Sequence, residues 1–141
     1  MKSNKGFTLV ELLAVIVILA IIALIATPII LGVIDTAKKG SAEASALAYI
    51  KAVEDQIVIS QVTTDETDDI TLPTTGTQEY TTANLSGVTV KGTAPNAEGT
   101  KIVIDSTGEV QSGTCLSVTM SGSTYNVSYD GAKAAVVDAC E

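Results

Sequence analysis

The sequence lacks histidine, arginine and tryptophan, and only 4% of its 141 residues are aromatic. Histidine is the most frequent general acid or base and the most frequent metal ligand, so its absence removes the usual catalytic and metal-binding chemistry. The remaining residues form no nucleophile elbow, no phosphate-binding loop and no pair of carboxylates in a plausible cleft. We therefore predict that the protein is not an enzyme and holds no metal or other cofactor.

Positive charge is also scarce. Eight lysines face sixteen aspartates and glutamates, which gives a formal net charge of −8. Without Met1–Gly6 the chain keeps six basic and sixteen acidic side chains, a net charge of −10. Because so acidic a surface repels phosphate backbones, we expect no nucleic-acid partner. The same charge favours solubility outside the cell.

Apolar residues are concentrated near the N-terminus. Leu12–Ala26 is an unbroken apolar run, and Phe7–Leu31 is interrupted by only four other residues. A helix over those 25 residues reaches about 37 Å, and a hydrocarbon core is about 30 Å thick. Lys2 and Lys5 precede the run, so the positive-inside rule predicts a cytoplasmic N-terminus and an external C-terminus.

An ordinary secretory signal and an uncleaved signal-anchor are the simpler interpretations of such a run. A secretory signal has an apolar core of about 7–15 residues, followed by a small-x-small cleavage site. No such site is evident here, and the helical pattern continues past the run.

Glu11 is an unusual residue for this position. A carboxylate inside an apolar membrane helix costs about 2.5–3.5 kcal/mol, so it usually has a partner. No cationic side chain lies within the segment. A free N-terminal amine on a neighbouring chain would serve, provided that the peptide bond before Phe7 were cut.

The order of residues here closely resembles the class III signal of type IV pilins and pseudopilins. The matching residues are Lys5-Gly6-Phe7-Thr8-Leu9-Val10-Glu11, followed by the apolar run. The resemblance implies that a membrane prepilin peptidase cuts between Gly6 and Phe7 and methylates the amine of Phe7. It also implies that Glu11 takes the place of the glutamate on which assembly in this family depends.

The same resemblance implies a function. The chain would be a structural subunit of a type IV pilus, a polymer of itself built by an inner-membrane assembly platform. It would begin as a single-pass precursor in the cytoplasmic membrane and end as an extracellular filament at the cell surface. The alternatives are a pseudopilin of a type II secretion or competence machine, which shares the signal, and an unprocessed membrane-anchored binding domain.

Pro28 lies within the apolar helix. Proline removes one backbone hydrogen bond and clashes with the preceding turn, which kinks a helix. Such a kink is tolerated in a membrane helix. Gly32 weakens the same stretch. In pilins, a proline in this region is associated with local unwinding in the assembled filament, so the resemblance favours a flexible joint at Pro28 that acts in assembly.

Beyond Ile34 the helix becomes amphipathic. The residues that recur on one face are Ala42, Ala46, Ile50, Val53 and Ile57. We predict an α+β, type IV pilin fold, in which a helix over about 7–60 packs by its second half on a four- to five-stranded antiparallel sheet. The predicted segments are a leader (1–6), a transmembrane and filament-core helix (7–34), an amphipathic helix half (35–60), a connecting loop (61–86) and a β-domain with a C-terminal cysteine loop (87–141).

Alternation and turn residues predict the strands. The predicted strands are Val88–Lys91, Lys101–Asp105, Glu109–Gln111, Cys115–Met120 and Thr124–Tyr129.

Two patterns in the predicted loop have simple explanations. The acidic residues Asp65, Glu66, Asp68 and Asp69 lack the ligand spacing and the turn glycine of a calcium loop, which favours a solvated loop. Leu72–Gly76 spells LPTTG, a sortase recognition sequence, but no apolar anchor follows it. We interpret this pentapeptide as a turn.

Cys115 and Cys140 are the only cysteines. Outside the cytoplasm, an even pair indicates a disulfide, which would tie the C-terminal tail to a strand. Two free thiols, or a metal site, are the alternatives, although no other soft metal ligand exists. Many Gram-negative pilins close a C-terminal loop with such a disulfide.

Overall fold

The computed structural model describes residues 6–62, 70–85 and 87–140. Two compact units divide the chain, residues 1–37 and residues 38–141. One helix, α1, runs from Leu9 to Val62 and contributes to both units. The first five residues of the predicted leader and the acidic cluster at Asp65, Glu66, Asp68 and Asp69 lie outside the described residues.

In the first unit, α1 is apolar on every side. Each large apolar side chain from Phe7 to Ile34 is at least 45% exposed. Among the described residues, α1 is the one helix long and apolar enough to cross a membrane, and its most apolar window has a mean hydropathy of 3.2. This segment therefore has the length and composition of a membrane span.

In the second unit, α1 packs through one face. All five residues of the predicted stripe are buried, and Tyr49 is buried beside them. They join a core that the strands and loops complete with Ile70, Tyr80, Leu85, Ile102, Ile104, Val110, Leu116, Val118 and Val127. The predicted stripe is confirmed, and α1 ends at Val62 instead of near Ser60.

Within residues 70–85 and 87–140, five strands follow the helix, and all their pairings are antiparallel. They are β1 (Thr77–Tyr80), β2 (Ile102–Asp105), β3 (Thr114–Met120), β4 (Ser123–Tyr129) and β5 (Ala134–Val137). One ladder has the order β1-β2 and the other has the order β3-β4-β5. The predicted α+β, type IV pilin-like architecture is confirmed.

A short backbone junction joins the two ladders. Lys101 and Cys115 exchange both of their backbone hydrogen bonds, each with an N–O distance of 2.7 Å. On the same side of β2, the Gln111 N–H donates to the Val103 carbonyl at 2.8 Å. Because of these bonds, the strand that carries Cys115 lies at the centre of the second unit.

The predicted strands require four corrections. The predicted loop 61–86 contains β1, which has no alternating apolar pattern and exists because it pairs with β2. Val88–Lys91 is not a strand, because its two valines pack against the core without a ladder partner. Glu109–Gln111 forms only an isolated bridge, between Val110 and Ile104. Strand β5 was not predicted.

Two glutamates of α1 accept hydrogen bonds from the strand side of the unit. The Glu43 carboxylate accepts the backbone N–H of Val136 at 3.1 Å. Three helical turns later, the Glu54 carboxylate accepts the backbone N–H of Val110 at 3.3 Å. Both carboxylates satisfy backbone N–H groups that would otherwise need a water molecule as their acceptor. These two hydrogen bonds also fix the helix against the edge strand and the β2–β3 connection.

The turn after β2 brings backbone close to the helix. The Asp105 carboxylate accepts hydrogen bonds from the Thr107 hydroxyl at 2.6 Å and from the backbone N–H groups of Thr107 and Glu109. The hydrogen bond from the Thr107 side chain is the main cause that lowers the pKa of Asp105. Between these residues, Gly108 is buried with a φ of +88°.

Gly108→Ala tests this contact. A Cβ at Gly108 would lie 2.6 Å from Cγ2 of Ile57, a buried core atom. Gly131→Ala is the matched control, because Gly131 has a φ of +96° and nothing within 4 Å of a Cβ. Both changes carry the backbone penalty, and only the first overpacks the core. We expect Gly108→Ala to lower the free energy of unfolding by about 1–3 kcal/mol more than Gly131→Ala does, measured by denaturant titration. Equal losses would contradict the packing described here.

Candidate functional site

The start of α1 is capped by two side chains. The Glu11 Oε2 atom accepts the backbone N–H of Thr8 at 2.9 Å and the Thr8 hydroxyl at 2.9 Å. In return, the Thr8 hydroxyl oxygen accepts the backbone N–H of Glu11 at 3.3 Å. This reciprocal arrangement is a capping box, in which Thr8 is the N-cap and Glu11 is the third helical residue.

The capping box gives Glu11 a partner within its own chain. The predicted partner of this carboxylate was an amine on another chain, and the hydrogen bonds from Thr8 were not predicted. The signal was present, because Thr-x-x-Glu before an apolar run is the pattern of a capping box. Both donors of Thr8 are uncharged, so their hydrogen bonds do not cancel the negative charge of a carboxylate. The positive end of the helix dipole favours a negative charge at this position.

The predicted processing residues precede the helix. Gly6, Phe7 and Thr8 are all exposed and are not part of α1, which begins at Leu9. Of the large apolar side chains that the structure describes, Phe7 is the most exposed, at 86%. Nothing lies within 4 Å of a Cβ built on Gly6. The peptide bond between Gly6 and Phe7 is therefore in an open, non-helical segment directly before the capping box.

Pro28 lies in the interior of α1, and the helix continues through it. Because proline has no N–H, the carbonyl of Leu24 loses its usual helical donor. One residue before the proline, the Thr27 hydroxyl donates to the carbonyl of Ala23 at 2.7 Å. The Thr36 hydroxyl makes the same kind of bond to the carbonyl of Gly32 at 3.0 Å. Threonine hydroxyls therefore supply extra donors on either side of the weakened turn.

The two cysteines form a disulfide. Cys115 is buried in β3, Cys140 is half-buried near the C-terminus, and their Cα atoms are 5.6 Å apart. The predicted disulfide is confirmed, and it encloses β4, β5 and most of β3. An open cavity of about 510 Å³ is lined by both cysteines and by Gly113, Ser128, Val137, Asp138 and Ala139. Among the described residues, no group of three or more His, Cys, Asp or Glu side chains forms a metal site.

Residues 1–27 match the family model of the prokaryotic N-terminal methylation motif. This motif is the class III signal of type IV pilins and pseudopilins. The chain carries a prepilin-type signal. The match covers the residues from Met1 to Thr27, including the open segment, the capping box and most of the apolar helix. No curated protein and no solved structure matches the chain significantly.

The prepilin-type signal thus coincides with the capped start of α1. The structure brings Gly6, Phe7 and Glu11 together at this end. Pro28 lies further along the same helix, and the disulfide of Cys115 and Cys140 belongs to the second unit. Proteins with this motif are structural and not enzymatic.

Thr8→Ala tests the capping box, with Thr8→Ser as the matched control. Alanine removes the hydroxyl that accepts the Glu11 N–H, whereas serine keeps it. Loss of an N-cap costs about 1 kcal/mol. In the full-length protein in detergent micelles, we therefore expect the first-turn amides of α1 to exchange about five times faster in Thr8→Ala than in the native protein. Thr8→Ser should keep the native rates, and a Thr8→Ala variant with native rates would contradict the cap.

Proposed function

We propose that this chain is the precursor of a structural filament subunit of the type IV pilin class. The observation that carries the proposal is the prepilin-type signal on an apolar helix whose side chains are exposed, while the same helix continues into a folded domain. An exposed apolar surface of this size needs a membrane or a protein partner. A membrane before assembly and copies of the same helix after assembly provide both.

Processing is the first step of the proposal. A prepilin peptidase cuts between Gly6 and Phe7 and methylates the new amine of Phe7. The precursor spans the cytoplasmic membrane once, with the N-terminus inside and the second unit outside, as the positive-inside rule indicates for Lys2 and Lys5. An assembly platform in the inner membrane then adds the subunit to a filament at the cell surface.

Glu11 is the proposed assembly residue. Its Oε2 atom already accepts two hydrogen bonds from Thr8. A carboxylate has about four lone-pair sites, so an amine can still bind it. In the apolar centre of a filament, the methylated amine of Phe7 on a neighbouring copy would neutralise the remaining charge. Pairing of this kind favours one axial position of each incoming helix over the others.

Pro28 is proposed as the joint of the helix. Its turn lacks one backbone hydrogen bond, and Gly32 adds conformational freedom one turn later. Unwinding this stretch would change the length and direction of the helix without disturbing the packed half. The threonine hydroxyls at Thr27 and Thr36 can pair with carbonyls that unwinding releases.

A pseudopilin of a secretion or competence machine is the alternative, because it carries the same signal. Electron microscopy of the cell surface separates the two: long filaments that contain this chain support a pilin, and their absence together with a secretion or uptake defect supports a pseudopilin.

Mass spectrometry of the N-terminus tests the proposed processing. We expect the chain isolated from its native membrane to begin at Phe7 and to carry one methyl group. Replacing Gly6 with leucine should keep Met1 in place, because the bulky side chain obstructs the cleavage site. An intact Met1 end on the native chain would instead support an unprocessed membrane-anchored domain.

Glu11→Gln and Glu11→Ala together test the proposed role of the carboxylate. Glutamine can replace glutamate in a capping box but cannot neutralise an amine. Charge pairing predicts that both variants insert into the membrane and that neither assembles. If capping alone were the function of Glu11, Glu11→Gln would form filaments normally and only Glu11→Ala would fail. Membrane fractionation and filament yield measure the two steps separately.

A further inference from the structure

Strand β5 is held weakly by noncovalent contacts. It has four residues and lies at the outer position of its ladder. None of its side chains is fully buried, and Ala135 is exposed. By contrast, five of the seven residues of β3 are buried. Apolar burial therefore contributes much less to holding β5 than to holding β3, the strand at the other end of the same ladder.

The hydrogen bonds of β5 follow from its register. The N–H of Val136 points away from β4, because it donates to the Glu43 carboxylate at 3.1 Å. Residues alternate along an antiparallel strand, so Ala135 and Val137 face β4, where they pair with Ser128 and Asn126. Beyond the strand, the Asn126 side chain donates to the carbonyl of Asp138 at 3.2 Å.

The covalent tie to the centre of the sheet is at the end of this weak strand. Cys140, three residues after β5, is bonded to Cys115. Cys115 does not depend on that bond for its position, because it exchanges two backbone hydrogen bonds with Lys101 and lies in buried β3. Opening the disulfide would therefore free the Cys140 side and leave the Cys115 side in place.

The disulfide is also open to small molecules. The cavity of about 510 Å³ reaches both cysteines, and Asp138 and Ala139 on its rim are exposed. Cys140 is half-buried and Cys115 is only 4% exposed, so Cys140 is the more accessible of the two residues to an incoming thiol.

We propose that the Cys115–Cys140 disulfide is a redox latch on β5. A dithiol reductant attacks Sγ of Cys140 as a thiolate, forms a mixed disulfide with it, and releases Cys115, which takes up a proton. The second thiol of the reductant then closes a cyclic disulfide and releases Cys140 as a thiol. The protein gains two electrons and two protons, and the reductant loses them. In the reduced state, β5 and the tail leave β4, whose backbone groups at Asn126 and Ser128 become available for pairing with another strand.

Hydrogen exchange on the full-length protein in detergent micelles tests the latch, with dithiothreitol as the reductant. After reduction and capping of the thiols with iodoacetamide, we expect the amides of Ala135 and Val137 to exchange about 100-fold faster, because a closed loop of this length no longer restrains the strand. Leu116 in β3 and Val53 in α1 should keep their protection. Continued protection of β5 in the reduced protein, or loss of protection throughout the second unit, would overturn the proposal.

The rate of reduction provides an independent measurement. Reaction through the open cavity predicts a rate that is proportional to dithiothreitol and insensitive to denaturant below the unfolding transition. A rate that requires unfolding would rise steeply with denaturant and would rule out an accessible latch.

Glu43→Ala is the matched control, because it removes a noncovalent restraint on β5 and keeps the disulfide. We expect exchange at Ala135 and Val137 to rise by no more than about tenfold in the oxidised variant, the effect of one hydrogen bond. A variant that releases β5 as completely as reduction does would assign the restraint to Glu43 and refute the latch. The double variant Cys115→Ser, Cys140→Ser should reproduce the reduced state, and reduction of the native protein keeps the test valid if that variant does not fold.

Discussion

An apolar helix surface that cannot remain in water is the constraint on which the rest of this molecule depends. From Leu9 to Ile34 the described helix has no polar face, and its large apolar side chains are all exposed. Every other feature at this end is compatible with a transfer between two apolar environments. The cap satisfies backbone donors locally, and the threonine hydroxyls bond to carbonyls of their own helix. Because these groups need no water, the helix can change its surroundings without losing its hydrogen bonds.

The second half of α1 is also helical, but it buries one face in the core of the second unit. Apart from Tyr49, its buried face consists of small and β-branched residues, which let the helix lie close to the strands. Glu43 and Glu54 accept backbone donors beside that face, so polar contacts also fix its position. Apolar burial gives this contact most of its free energy, whereas the hydrogen bonds of the two carboxylates fix the position of the helix on the strands.

The features that were predictable from the sequence are those with strong local signals. The apolar run, the amphipathic stripe at Ala42–Ile57 and the β3–β4 hairpin each show a clear periodicity or a turn residue, and all three are present. β1 and β5 were missed, because each is a four-residue segment that becomes a strand only by pairing with a neighbour. Val88–Lys91 has the alternation of a strand but not a partner. Pairing is a property of the whole fold, so a local pattern neither guarantees nor excludes it.

The candidate site likewise has one feature that was predicted from the local sequence and one that was not. The order of Gly6, Phe7 and Glu11 is a local motif, and the family model recognises it. The partner of Glu11 was not predicted even though the Thr-x-x-Glu pattern is local, because a neutral hydroxyl and a backbone N–H take the place of the expected cation. The cap at Thr8 has one more consequence. The cap uses the N–H of the amide between Phe7 and Thr8, and a cut between Gly6 and Phe7 leaves that amide intact. Removal of the leader would therefore change the charge at this end of the helix and preserve the shape of the helix. Maturation would then be a chemical change that requires no refolding, and it could occur with the helix already embedded in lipid.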